Sequence, residues 1–166
     1  MITTPQEYFN SLDILQSIKR PAYALLPSAE NVYKIDANTR TVEAPPFVSV
    51  EKDHRAEVIY FSIDRFVDYM DLSTTSCMIT YTNAKKKTRY YGVPFYDIYT
   101  LAYEGKILFP WCLDGNIAEA TGNVEFAISF FSVGSELDEN NSPKPVLEYS
   151  FNTLPAHSKV LKGIKE

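Results

Sequence analysis

The chain is short of several things at once. Its 166 residues include 6 Gly, 2 Cys, 2 His and a single Trp. Two cysteines, Cys77 and Cys112, make no disulfide framework, so the fold has to be held by its core. The histidines, His54 in "EKDHRAE" and His157 in "LPAHSK", share no motif with either cysteine, which removes the usual nucleophile–base pairings and any zinc-type cluster. There is no glycine-rich phosphate loop and no G-x-S-x-G elbow. On these grounds no catalytic residue, no metal and no cofactor is expected. No apolar run approaches the ~20 residues of a membrane span, so no membrane partner is expected. The opening "MITTPQEYF" has neither the basic nor the apolar region of a secretory leader, and synthesis in a cytoplasm with reduced thiols is expected. Positive charge is scarce too. The 16 Lys and Arg against 21 Asp and Glu leave a net −5, the wrong sign for neutralising phosphates, so no nucleic-acid partner is expected. The short basic runs at Lys85-Lys86-Lys87 and at Lys159, Lys162 and Lys165 read as a solvated turn and tail.

What remains is an ordinary globular composition, 45% hydrophobic and 22% charged, rich in Tyr (12) and Phe (10). The first segment, "TTPQEYFNSLDILQSIKRP", predicts a helix. Thr4 caps it, Pro5 suits its first position and Glu7 completes a capping box. Tyr8, Leu12, Leu15 and Ile18 fall on one face, Lys19 and Arg20 suit the negative end, and Pro21 stops it. This helical arm, residues 1–21, covers the domain that follows or docks on another subunit. Residues 22–154 read as strands: "VYKID", "RTVEAP", "AEVIYFSID", "CMITYTNA", "TRYYGVPFYDIYT", "KILFPW", "NVEFAISFFSV" and "VLEYSFN", with polar turns between them. Val58 interrupts the alternation of the third. Such short, evenly spaced strands predict a mainly β fold, an antiparallel β-sandwich that is immunoglobulin-like or jelly-roll-like. Residues 155–166 read as a tail.

Three groups of residues deserve weighing as sites. Trp111, Cys112 and Asp114 fall together in "ILFPWCLDGNIAEATGNVEFAISFF", but the stretch reads as strand, one helical turn and strand. Asn116 would cap the turn, Gly122 would end it, and Trp111 and Cys112 would sit at the core edge. Asp64, Asp68 and Asp71 lack the glycine and bidentate glutamate of a calcium loop and read as a connection in which Asp71 caps a turn. A hydrolase would need two carboxylates, for example Asp64 and Asp114, to meet in one cleft. The tyrosines Tyr90, Tyr91, Tyr96 and Tyr99 would suit a sugar-stacking row, which makes a glycan the alternative partner.

The order of elements adds a resemblance. A charged "KDH" leads into the strand "AEVIYFSID". "MDLSTT" leads into "CMITYTNA", and "GKILFPWCLDGNIAEATGNVEFAISFF" follows. This order, carried by Asp53, Ala56, Phe61, Asp71, Leu72, Ile79, Ala118, Gly122, Val124 and Phe126, resembles the N-terminal β-sandwich domain of phage baseplate upper proteins and similar tail-fibre proteins. The resemblance runs from about Ile35 to Leu154. It implies a virion assembly module without catalytic residues that forms homo-oligomers and binds other virion proteins. The helical arm has no counterpart in that pattern. The end of the chain at Glu166, where such proteins continue into a fibre, implies a small virion protein or adaptor.

Overall fold

The computed structural model describes residues 32–54, 57–101 and 104–163. The expected helix with Tyr8, Leu12, Leu15 and Ile18 lies outside these residues. The described chain is mainly β. Its strands are β1 (Val32–Lys34), β2 (Ser49–Val50), β3 (Glu57–Asp64), β4 (Phe66–Val67), β5 (Met70–Asp71), β6 (Ser76–Thr82), β7 (Thr88–Val93), β8 (Tyr99–Leu101), β9 (Lys106–Leu113), β10 (Gly122–Leu137), β11 (Pro143–Asn152) and β12 (Ala156–Leu161). One sheet has the order β1-β3-β9-β8. The other runs β2-β12-β10-β6-β7, with β11 also on β10, and β4 and β5 form a small separate hairpin.

The two sheets pack face to face through aromatic rings. Phe109 of the first meets Phe130 of the second edge-on at 5.5 Å between centroids, and Trp111 meets Phe126 at 5.0 Å and Tyr81 at 5.6 Å. Rings tilted or edge-on at this spacing set quadrupoles favourably as well as burying area. Alternation brings them there. Val124, Phe126, Ile128 and Phe130 point inward from β10, while Glu125, Ala127, Ser129 and Phe131 point outward.

Several expectations need correction. Trp111 is 1% exposed and sits within the core, not at its edge. Its neighbour Cys112 points to the other side of β9, where it is only half-buried. The single turn is a 3₁₀ turn at Ile117–Glu119. Asn116 already has helical dihedrals and its side chain makes no cap bond. Asp114 supplies the cap instead, accepting from the Asn116 and Ile117 amides at 2.9 and 3.3 Å. Gly122 starts β10 with φ +135°, a conformation that favours glycine, and a Cβ there would lie a tight 3.2 Å from that of Ala84. "RTVEAP" is no strand; only Val42 bridges, to Ile35. The segment read as a tail contributes β12, paired antiparallel with β10 from Ala156 to Val160. Nor is every pairing antiparallel, since β1–β3 and β2–β12 are parallel.

Candidate interaction surface

The two ends of the paired sheets differ in chemistry. At one end the β6–β7 turn is tied to the 3₁₀ turn by the buried Asn83. Its amide donates to Asn116 O at 2.9 Å and to Glu119 at 3.2 Å, and its carbonyl accepts from the Lys85 and Lys87 amides at 3.0 Å. Lys87 and Lys85 reach Glu119 at 3.1 and 3.4 Å, and the Lys87 hydrogen bond is the main reason that carboxyl titrates low. Lys85 and Lys87 therefore share one carboxylate, and the run keeps a net positive charge. Tyr81 donates to Asp114 at 3.1 Å; burial first, then that carboxylate, push its hydroxyl up. His54 Nδ1 accepts from the Gly115 amide at 2.8 Å.

The opposite end is aromatic and apolar. β3 runs out into the β4–β5 hairpin, whose two turn residues, Asp68 and Tyr69, have φ +47° and +69°. Such a turn favours Asn-Gly, so a tyrosine there is strained, and Tyr69 is fully exposed. A two-pronged ion pair closes the hairpin base: Arg65 donates to the two carboxylate oxygens of Asp71 at 3.0 and 2.9 Å. With the Ser73 amide and hydroxyl also donating to Asp71, its carboxyl is held down at about 2, chiefly by Arg65. Asp71 does cap a turn, the 3₁₀ turn Leu72–Thr74. At this same end β7 leaves its sheet through Phe95 and Tyr96, exposed and edge-on to each other at 5.5 Å.

Beyond Phe131, where the β6 pairing stops, β10 continues with β11 as a two-stranded ribbon. Register decides its faces. Val133 opposes Leu147, Ser135 opposes Pro145 and Leu137 opposes Pro143 on one side, and Glu136 opposes Lys144 on the other. Val133, Leu137 and Leu147 are 57%, 65% and 64% exposed. The apolar side of the ribbon continues the outward side of its sheet. Ala127, Ser129 and Phe131 of β10 are flanked there by Thr80, Met78 and Ser76 of β6, and by Tyr90 and Gly92 of β7. From Thr80 to Leu137 these positions carry no charge, on a chain that is 22% charged. Tyr149 joins ribbon and hairpin by donating to Val67 O at 3.4 Å.

The four tyrosines expected as a row do not form one. Tyr90 and Tyr91 take opposite sides of β7, the first exposed and the second half-buried against the core. Tyr96 stands at the aromatic end, and Tyr99 is buried on the outward side of the first sheet. Asp64 and Asp114 do not meet either. Asp64 pairs with Lys106 at 3.0 Å at one end of the β3–β9 ladder, and Asp114 follows its other end, roughly 23 Å away at about 3.3 Å per residue. Among the described residues no cluster of three or more His, Cys, Asp or Glu is arranged to hold a metal, and no helix is long and apolar enough to cross a membrane. An open groove of about 530 Å³ beside β1 is lined by both signs of charge, including Lys34, Asp36, Glu43, Asp64 and Lys106.

Sequence reasoning missed the ribbon. "SVGSEL" and "PKPVLE" hold few apolar residues, and only their register places Val133, Leu137 and Leu147 on one side. Comparison with protein-family models and with curated proteins found no match.

Proposed function

We propose that the chain is a phage virion structural protein, an assembly or adaptor module at a baseplate, tail, neck or head fibre, made in the host cytoplasm. In this reading the two packed sheets are an immunoglobulin-like or jelly-roll-like β-sandwich that forms homo-oligomers and binds neighbouring virion proteins. The role is binding, not catalysis. One observation carries it: an uncharged sheet face that runs into a ribbon exposing Val133, Leu137 and Leu147 on the same side. An apolar area of this extent on a soluble chain marks an interaction surface, and depletion of charge is the compositional mark of an interface core. The residues behind the phage resemblance support the reading in a modest way. Phe61, Leu72, Ile79, Ala118, Val124 and Phe126 are all buried, and Asp71 and Gly122 hold the turns that lead into β6 and β10.

The test is incorporation into particles. Wild-type chain is expected in gradient-purified virions by mass spectrometry. The Leu137→Asp, Leu147→Asp double variant is expected to keep its unfolding midpoint, because both positions are exposed, yet to be left out. Wild-type chain absent from particles, or a variant that enters them equally well, overturns the proposal. A chain that stays free and gives a saturable signal on a glycan array points to the carbohydrate-binding alternative.

A further inference from the structure

The two edges of the β10–β11 ribbon are not alike. Along an antiparallel strand every second residue turns its amide and carbonyl to the same side. Ile128 of β10 turns towards β11: its amide donates to Thr153 Oγ1, and its carbonyl accepts from the Thr153 amide, both at 2.9 Å. The bulge in the ribbon adds its extra residue, Glu148, to β11, so the alternation of β10 is unbroken. Even-numbered residues of β10 therefore bond towards β11, and odd-numbered ones face the β6 side. The β6 ladder ends at Phe131. Beyond it the amides and carbonyls of Val133, Ser135 and Leu137 look out along an open edge, and among the described residues nothing bonds to them. The far edge of β11 is different. Pro145 and Pro143 oppose Ser135 and Leu137, so their nitrogens face outward, where proline has no hydrogen to donate. Proline there guards against an added strand. One edge of the ribbon is closed and the other is open.

We propose that the open edge, Val133 to Leu137, takes an extended segment of a partner protein as an added strand, and that this segment alternates apolar with basic residues. The inference rests on the reading of this ribbon as a binding surface and supplies the chemistry of what binds. Main-chain bonds give such an addition its hold, and alternate side chains give it its choice. On one side the incoming strand meets Val133 and Leu137, both exposed. On the other it meets carboxylates. Glu136 is one. Glu148 is the second: its side chain lies over Gly134, in the place where a side chain of residue 134 would stand. β10 thus shows acids at two successive positions of one side, both exposed, and neither is in an ion pair with a described residue. Lys144 opposes Glu136 from β11, away from the open edge. A second copy fits this edge poorly. Antiparallel pairing centred on Gly134 sets Glu148 against Glu148. Centred on Ser135 it sets Glu136 against the Glu148 that covers Gly134, and centred on Glu136 it sets Glu136 against itself. Like charges directly opposite destabilise a ladder and opposite charges stabilise it. Lysine or arginine at these positions of the incoming strand meets both carboxylates.

The test uses the full chain and two short labelled peptides, one alternating Val with Lys and one alternating Val with Glu, followed by fluorescence anisotropy. The lysine peptide is expected to bind saturably, about tenfold or more tighter than the glutamate peptide. Glu136→Lys with Glu148→Lys is expected to keep the unfolding midpoint, because both side chains are exposed, and to reverse the preference. Backbone pairing has its own signature. N-methylation of alternate residues of the lysine peptide is expected to abolish binding in one set, whose amides face β10, and to spare it in the other, whose amides face water. No binding of the lysine peptide, an unreversed preference, or equal effects of the two methylated sets overturns the proposal. Disulfide-linked dimers of Ser135→Cys with no peptide bound would assign the edge to a second copy and overturn it too. The virion reading is separable. A chain that enters particles but ignores the lysine peptide sinks this inference alone, and a chain that binds the peptide but stays out of particles sinks that reading alone.

Discussion

The two sheets obey different burial rules. In the sheet of β6, β10 and β12 burial alternates residue by residue, inward and outward. In β3 every residue from Val58 to Ile63 is buried, and in β9 every residue from Ile107 to Trp111. A period of two marks a sheet with one wet face; its loss marks a sheet enclosed on both. One sheet is therefore buried on both faces, and the other keeps one face open.

The sharpest way to break this comparison is at the seam. Trp111→Ala or Phe126→Ala is expected to cost about 3–5 kcal/mol in urea unfolding; a loss under about 1 kcal/mol would mean that the sheets are not mated there. A matched pair on the outward sides comes next. Leu108→Ala is expected to cost about 2–5 kcal/mol, and Thr80→Ala at most about 0.5 kcal/mol. Equal losses would erase the distinction between the sheets. The turns that close the sheets should matter less. Asp71→Asn removes an ion pair and a cap and is expected to cost roughly 1 kcal/mol. Its pH signature is directional. Because the folded carboxyl titrates near 2, below its unfolded value, the stability it adds is complete above about pH 4 and is lost as the pH falls towards 2. The wild type should lose this increment over that window in urea titrations, and Asp71→Asn should not. Smallest of all, Lys87→Ala at the polar end is expected to change stability by at most about 0.5 kcal/mol, since half-exposed pairs contribute little.

Much of this was legible in the sequence, and the failures have physical causes. Alternation in "NVEFAISFF" gave the inward face of β10 correctly. The apparent flaw in "AEVIYFSID", Val58 out of step, was the mark of double burial, and the unbroken run in "KILFPW" says the same of β9. Trp111 and Cys112 were placed together because they are adjacent, although neighbours in a strand face opposite ways. The cap went to Asn116 in place of Asp114 because a 3₁₀ turn is shorter than the α-helical turn assumed. β12 was missed because "AHSKVL" is half polar, as an edge-side strand can be. The candidate surface was the least legible part. It is made by cross-strand register between β10 and β11, and no window of a single strand contains that.

β10 is one uninterrupted backbone from the centre of the core to the tip of the ribbon. From Glu125 to Phe131 it is bonded to β6 along one edge, and β12 and β11 follow each other along the other. A pull on the ribbon along its axis would therefore load those ladders in shear, many hydrogen bonds at once, and not peel them open in turn. Any force applied to the ribbon would pass along this one strand into the core.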